Sequence, residues 1–323
     1  MIVVTGAAGF IGSCIVARLN ELGRRDLILV DHLDGDGDPK HANLTGKRFE
    51  EYFDKGDFLN EIRSGKFKET VTAVIHMGAC SSTTLQDENY FKENNFQYSC
   101  HMTEWATKIK ARLIYASSAA TYGAAVNNYR DDDVSTRGCK PLNLYGDSKH
   151  KFDQWILDRD LQTKVVGLKF FNVFGPNEYH KGDMRSVVAK AYDRVVKEGR
   201  ISLFKSYHKD YADGEQQRDF IYVKDVVDVV MFFFDHPDIN GIFNVGSGRA
   251  RSWNDVARSL FAAVGKNTNI EYIEMPEILR GMYQYFTQAD VNKLRSVGYT
   301  KPFTSLEDAV KDYSQYLKNK SHW

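Results

Sequence analysis

The chain has no net charge to offer a partner. Its 43 lysines and arginines balance 43 aspartates and glutamates over 323 residues. A nucleic acid or an anionic membrane surface would call for a basic excess, so neither is expected, and any charged ligand must be caught by local clusters. Cysteine is also scarce. Cys14, Cys80, Cys100 and Cys139 are widely spaced and form no CxxC pair. That excludes the usual zinc-site and disulfide-framework signatures and fits reduced thiols in a cytoplasmic protein, with no metal site expected. No apolar run approaches membrane-spanning length. No basic segment followed by an apolar run opens the chain, so a secretory leader is not expected. No internal repeat or low-complexity segment appears. What remains is an ordinary globular composition, 42% hydrophobic and 13% aromatic, with disorder expected only at the tail Lys318–Trp323. The length predicts one large domain with a lobe, or two intimately joined domains.

The first half alternates short apolar runs with helical stretches. Ile2–Val4, Leu27–Val30, Ala73–His76, Arg112–Ala116 and Val165–Phe170 read as strands; Ile11–Leu22, Phe91–Thr107 and Leu144–Asp158 read as helices. The strand runs are continuously apolar, which fits strands buried on both faces of a parallel sheet. This predicts an α/β, doubly wound domain over residues 1–171. Residues 172–323 are expected to be mainly a smaller substrate-binding lobe, with segments near 220–246 returning to the sheet. In that half Asn172–Asp183 reads as a loop, Met184–Lys197 as a helix and Tyr207–Gln217 as a mobile polar surface loop. Phe220–Val223 and Gly241–Gly246 read as strands; Val226–Phe234, Trp253–Val264 and Ser305–Leu317 read as helices.

Thr5-Gly6-Ala7-Ala8-Gly9-Phe10-Ile11-Gly12 follows the first strand and opens a helix. Glycines at 6, 9 and 12 permit a tight turn, close approach of a pyrophosphate, and close helix-to-strand packing. Free N–H groups and the dipole at the helix start favour that anion. Asp31, ending the second strand, is placed for an adenosine ribose 2′-OH and favours NAD. Lys40 and Lys55 lie downstream and could reach a 2′-phosphate instead. Spacing alone leaves NAD against NADP open.

Tyr145 and Lys149 stand at i and i+4, sharing one face of a helix. A neighbouring ammonium stabilises tyrosinate, so Tyr145 is expected to titrate below its ordinary value of about 10 and to accept a substrate hydroxyl proton. Upstream, a strand ends at Ser117-Ser118, and either hydroxyl could bond the substrate oxygen beside Tyr145.

These three motifs resemble the extended short-chain dehydrogenase/reductase superfamily over nearly the whole chain. The resemblance implies a Rossmann fold and a catalytic set of Ser118, Tyr145 and Lys149. Ala119-Ala120 stand where the superfamily's dehydratases usually carry Asp-Glu, which disfavours dehydration. His76-Met77-Gly78-Ala79-Cys80-Ser81-Ser82-Thr83-Thr84, Phe171–Pro176, His180-Lys181-Gly182 and Phe286–Asp290 are similar, more closely, to the ADP-L-glycero-D-manno-heptose 6-epimerases. That likeness implies NADP, an ADP-heptose substrate, a role in lipopolysaccharide core biosynthesis, and a homo-oligomer, a pentamer or a multiple of one. It implies cofactor contacts from Phe10, Ile11, Asp31, His32, Lys40, Lys55, Met77 to Ser81, Asn94, Lys149 and Val173, beside Gly6, Gly9 and Gly12 of the loop. Substrate contacts are implied for Ser81, Asn172, Phe204, Lys205, Ser206, Tyr207, Arg218 and Tyr283, with Asp183 and Lys190 at family positions. Lys181 is implied as a second catalytic base that also lies against the cofactor.

The chain departs from the pattern at Met77, where the family often has Glu, at Asp183 for a small hydroxyl residue, at Lys190 for His, and in a longer 206–217 segment. The excursion Asn127–Lys140, with Asp131-Asp132-Asp133, reads as solvated rather than as a metal site. Three alternatives stay open at this point. They are another nucleotide-sugar epimerase such as a UDP-hexose 4-epimerase, a net reductase, and a non-catalytic nucleotide-binding protein, which would commonly lack the Tyr or the Lys.

Overall fold

The apolar strand runs pair with one another. The computed structural model describes residues 1–123, 129–280 and 283–323, leaving aside the side chains of 278 and 279. In it the strands are β1 (Ile2–Thr5), β2 (Leu27–Asp31), β3 (Glu51–Asp54), β4 (Ala73–His76), β5 (Arg112–Ser118), β6 (Val166–Phe170), β7 (Asn172–Phe174), β8 (Ile201–Phe204), β9 (Gln217–Tyr222), β10 (Gly241–Val245), β11 (Ala250–Ser252) and β12 (Ile270–Ile273). A seven-stranded sheet runs β10-β6-β5-β4-β1-β2-β3, and each of its pairings is parallel. This is the doubly wound α/β arrangement, with its strand order reversing between β1 and β4.

Burial on both faces follows from the residues. In β1, Ile2 and Val4 enter one apolar cluster with Ile15 and Val226, while Val3 enters the other with Val74, Phe152 and Ile156. A strand with water on neither side has no use for alternation. Helices Phe10–Glu21 and Val223–Asp235 pack together on one face, and β10 closes the sheet's edge against β6. The segment after residue 172 therefore both returns to the sheet and builds two small sheets, β11-β9-β7 and β12-β8. Among the described residues no helix is long and apolar enough to cross a membrane.

Several expectations are corrected. Asn172–Asp183 is not simply a loop: it holds β7 and a 3-10 segment, Tyr179–Met184. Phe91–Thr107 is not one α-helix: a π-helical stretch, Lys92–Gln97, interrupts it. The inserted turn aims Asn95 at the chain beyond β4, where its amide bonds both the N–H and the C=O of Cys80 at 2.8 and 2.9 Å. In the Asn127–Lys140 excursion, residues 127 and 128 lie outside the described residues, and the rest is solvated only in part. Tyr129, Asp131 and Cys139 are buried, and Asp131 accepts the Asn244 N–H at 2.7 Å. Within the expected surface loop Tyr207–Gln217, Gln216 is fully buried.

The tail is docked rather than disordered. The Leu306–Asn319 helix runs into it, and the Trp323 N–H donates to Asn177 at 2.8 Å. The Trp323 indole N–H donates to Glu21 at 2.7 Å, and Arg18 stacks 5.3 Å from its ring. Trp323→Ala should lower unfolding stability by about 1–2 kcal/mol, the ordinary cost of losing a half-buried aromatic contact. Urea denaturation with an unchanged slope checks this; an unshifted midpoint would mean the tail carries no stability.

Candidate active site

Because helices cover both sheet faces, polar chemistry can gather only at an end of the strands, and it gathers at the carboxyl end. A cleft of about 1480 Å³ opens there, lined by the Gly6–Gly12 turn, Asp31, Met77–Ala79, Ser118, Tyr145, Lys149, Lys181 and Arg218 among others.

The glycine turn is sterically compelled. Gly6 has φ +65°, and a Cβ on it would lie 2.7 Å from the Gly78 backbone; one on Gly12 would lie 2.0 Å from the Gly6 carbonyl oxygen. At Gly9 a Cβ would meet only that carbonyl, at 3.1 Å, and would otherwise fill open cleft. The Phe10–Glu21 helix starts there with no side-chain cap and no acid in its first turn. A cradle of this kind fits an anionic pyrophosphate. Thr5 braces it: its hydroxyl accepts the Gly78 N–H at 3.1 Å and meets His76 at 2.6 Å. Burial holds the His76 imidazole down to about 3, with Lys149 adding repulsion, so the ring is neutral near pH 7.

Asp31 is fully engaged. One oxygen accepts the Ala8 N–H at 2.8 Å; the other accepts the His32 N–H at 2.8 Å and Lys40 at 3.2 Å. Lys55 donates to Asn94 at 2.5 Å. His32 is committed to Asp54, at 2.7 Å.

On the far wall, Asn143 caps the Leu144–Asp158 helix by accepting the Gly146 N–H at 2.8 Å, and that helix carries Tyr145 and Lys149. Between the two serines left open, geometry brings Ser118 to the phenol. Burial raises Tyr145 above its ordinary value, and the Ser118 hydrogen bond pulls it back. This corrects the expectation that Lys149 lowers it. The Lys149 ammonium instead donates to the Ala116 carbonyl at 2.8 Å, and burial brings it down to about 8. Ser117 turns away to Asp153, at 2.7 Å. Lys181 stands 5.3 Å over the Phe10 ring, lowered by burial against the opposing pull of Glu178. Arg218, nearly buried, lies 5.1 Å over Tyr283 and 6.0 Å over Trp253.

Residues 2–246 match the family described as NAD dependent epimerase/dehydratase. The chain belongs to that family.

Near-full-length relatives agree. A Nitratidesulfovibrio vulgaris protein named ADP-L-glycero-D-manno-heptose-6-epimerase is 49% identical over 318 residues, covering 98% of each chain. A Fusobacterium nucleatum protein of the same name is 45% identical over 325 residues, covering 98% of this chain and 97% of its own. Among solved structures, the Helicobacter pylori ADP-L-glycero-D-manno-heptose-6-epimerase is 29% identical with a TM-score of 0.80, covering 98% of this chain and 96% of that one.

As a member of this epimerase/dehydratase family, the chain brings together most of the residues singled out from sequence. Gly6, Gly9, Phe10, Ile11, Gly12, Asp31, Lys40, Met77, Gly78, Ala79, Ser81, Ser118, Tyr145, Lys149, Asn172, Val173, Lys181, Lys190, Arg218 and Tyr283 all line the cleft. His32, Lys55, Cys80, Asn94, Asp183 and Phe204–Tyr207 do not. The last group packs outward. Lys205 pairs with Glu274 at 2.7 Å, the Tyr207 hydroxyl bonds the same carboxylate, and the Tyr207 N–H meets the Tyr285 hydroxyl at 3.2 Å. The Lys190 ammonium bonds the Asp183 carbonyl at 3.2 Å.

The second layer was not foreseen. Asn43 ties the Ala8 carbonyl to Asn177 and His180, at 2.9, 3.1 and 3.2 Å. Buried Glu178 accepts the Ser186 N–H and hydroxyl, each at 2.6 Å. Arg185, Trp253 and Gln284 also line the cleft. The Asn43 ties carry no spacing signal, since Asn177 and His180 are remote from it in sequence.

Burial holds Lys149 near 8, whereas an unfolded lysine titrates near 10.5. Between those values the unfolded chain binds the extra proton, so this residue's contribution to stability rises with pH across that window. Below pH 8 both states are protonated and the desolvation cost stands in full. Lys149→Met should therefore raise unfolding free energy at pH 7 by about 1–3 kcal/mol, with the gain shrinking between pH 8 and 10.5. Urea denaturation at pH 7 and pH 10 measures this; a variant weaker than wild type at pH 7 would mean that the Ala116 hydrogen bond outweighs burial.

Proposed function

We propose that this chain inverts C6 of the heptose of ADP-D-glycero-D-manno-heptose to give the L-glycero epimer, with NADP held over the glycine turn. The observation that carries the reading is the meeting, in one cleft, of the Tyr145–Ser118 hydroxyl pair and desolvated Lys181, between an anion cradle and Arg218. The near-full-length likeness to proteins named for this reaction supports the substrate.

When bound, the nicotinamide would supply a reversible hydride acceptor for C6, so no outside reductant would be consumed. This chain's side chains handle the proton. Tyr145, once ionised beside the positive charges of Lys149 and a bound oxidised nicotinamide, would take the 6-hydroxyl proton as the carbonyl forms, and Ser118 would hydrogen-bond the same oxygen. Lys149 would hold the nicotinamide ribose and lend its charge to the site. The 6-keto sugar must turn about an exocyclic bond before reduction, and a base placed for one pose is badly placed for the other. Lys181 serves the second pose, its desolvation making the ammonium give up its proton more readily than an exposed lysine would.

Asp31 alone would favour a ribose 2′-hydroxyl. Lys40 already balances that carboxylate, and Lys55 adds a second cation nearby, so a 2′-phosphate would not meet a bare negative charge. Ser81 and Asn172 suit the sugar. Arg218, with a fork that can bond two oxygens, and Lys190 suit the diphosphate. Asp183 and Phe204–Tyr207 enter the reading only as an outer rim. The same reading makes the protein a cytoplasmic homo-oligomer supplying heptose for lipopolysaccharide core synthesis; light scattering of the pure protein tests the oligomer.

Turnover of ADP-heptose without net absorbance change at 340 nm is the expected result, with UDP-galactose inert; preference for UDP-galactose would replace this reading by a UDP-hexose 4-epimerase. Denaturing the pure protein should release NADP rather than NAD. Tyr145→Phe should lower kcat by about 10²- to 10⁴-fold. Lys181→Met should keep its nucleotide yet lose epimerisation, and near-normal epimerisation in that variant would end the two-base scheme.

A further inference from the structure

Behind the Tyr145–Lys149 pair lies a buried ion pair that the proposed chemistry does not touch. Tyr145, Lys149 and Asp153 recur at i, i+4 and i+8 of one helix and share a face. Asp153 and Lys169 are both 0% exposed and meet at 2.6 Å. One Asp153 oxygen accepts the Tyr115 hydroxyl at 3.0 Å, and the other accepts the Ser117 hydroxyl at 2.7 Å. Lys169 also donates to the Thr121 hydroxyl oxygen at 2.8 Å, and that hydroxyl donates to the Ser118 carbonyl at 2.8 Å. The pair thus ties the last residues of β5, the turn that follows and β6 to the helix carrying Tyr145.

Such a pair is weak ground for stability, because apolar residues of similar volume often serve as well. Its placement points elsewhere. We infer that Asp153, held by Lys169, is a positioning residue whose charge faces Lys149 and whose hydrogen bonds seat the Ser117–Ser118 strand end beside Tyr145.

The surroundings of Lys149 support this. Its own helix presents Tyr145 and Asp153, β4 presents neutral His76, the chain beyond β4 presents Cys80, and β5 presents the Ala116 carbonyl. Burial pulls the ammonium down to about 8, and Asp153 is the main influence opposing it, ahead of Cys80.

This inference rests on Tyr145 and Lys149 as the working pair, so its test reads Lys149 directly as well as turnover. Carbon-13 lysine NMR, with the Lys149 signal assigned through Lys149→Arg, would follow wild type, Asp153→Asn, Asp153→Glu and the double variant Asp153→Asn/Lys169→Met. The double variant removes both charges together and so leaves no buried charge unpaired. In Asp153→Asn the Lys149 midpoint should fall by about one pH unit, and kcat at pH 8 should fall about tenfold with KM little changed. The double variant should move the same way, and Asp153→Glu, which keeps the charge, should return toward wild type. A folded double variant with an unmoved midpoint and a wild-type kcat–pH profile would overturn the inference. A moved midpoint in a protein that never turns over ADP-heptose would leave the inference standing and sink the proposed function instead.

Discussion

Burial of the parallel sheet on both faces is the constraint from which the rest follows. Once helices cover each side, every strand interior must be apolar, and water reaches the sheet only where strands end. The reversal of strand order between β1 and β4 then parts the chain at one place on that edge. Gly6 and Gly78 come within backbone contact there, with no room for a side chain. The cleft, the anion cradle and the Tyr145 helix are all arranged around that parting.

Desolvation is the common cause of the site's electrostatics. It pushes Tyr145 up and pulls Lys149, Lys181 and Arg218 down. Lys149 and Lys181, held in a dry cleft, keep the proton more loosely than exposed lysines, whereas Tyr145 keeps its own more tightly. The opposing influences are few and specific: Ser118 for Tyr145, Asp153 for Lys149, Glu178 for Lys181. A second layer of buried hydrogen bonds, from Thr5, Asn43, Asn95 and Asp153, sets where these groups stand.

Most of the first layer was legible in the residues. The glycine spacing after β1, the Tyr145–Lys149 interval and the serines ending β5 each carry a local steric or helical rule, and each landed on the cleft. The short strands β3, β8 and β12 were not legible. They are short edge or paired-ribbon segments, half-buried in β3, alternately buried in β8 and mostly exposed in β12, and only pairing makes them strands. The π-helical turn at Lys92–Gln97 breaks no sequence rule, yet it decides where Asn95 points. The tail looked too polar to order, but Trp323 finds Asn177, Glu21 and Arg18 across the fold.

The sequence by itself determined the doubly wound class, the glycine cradle and the Tyr-Lys face, because the first is written in continuously apolar strand runs alternating with helices and the other two in short spacings along the chain. Only the tertiary structure decided which serine meets the phenol, that Lys149 turns to the Ala116 carbonyl, and that Lys40 balances Asp31. Those outcomes depend on dehydration and on partners from other strands, and neither is encoded in spacing.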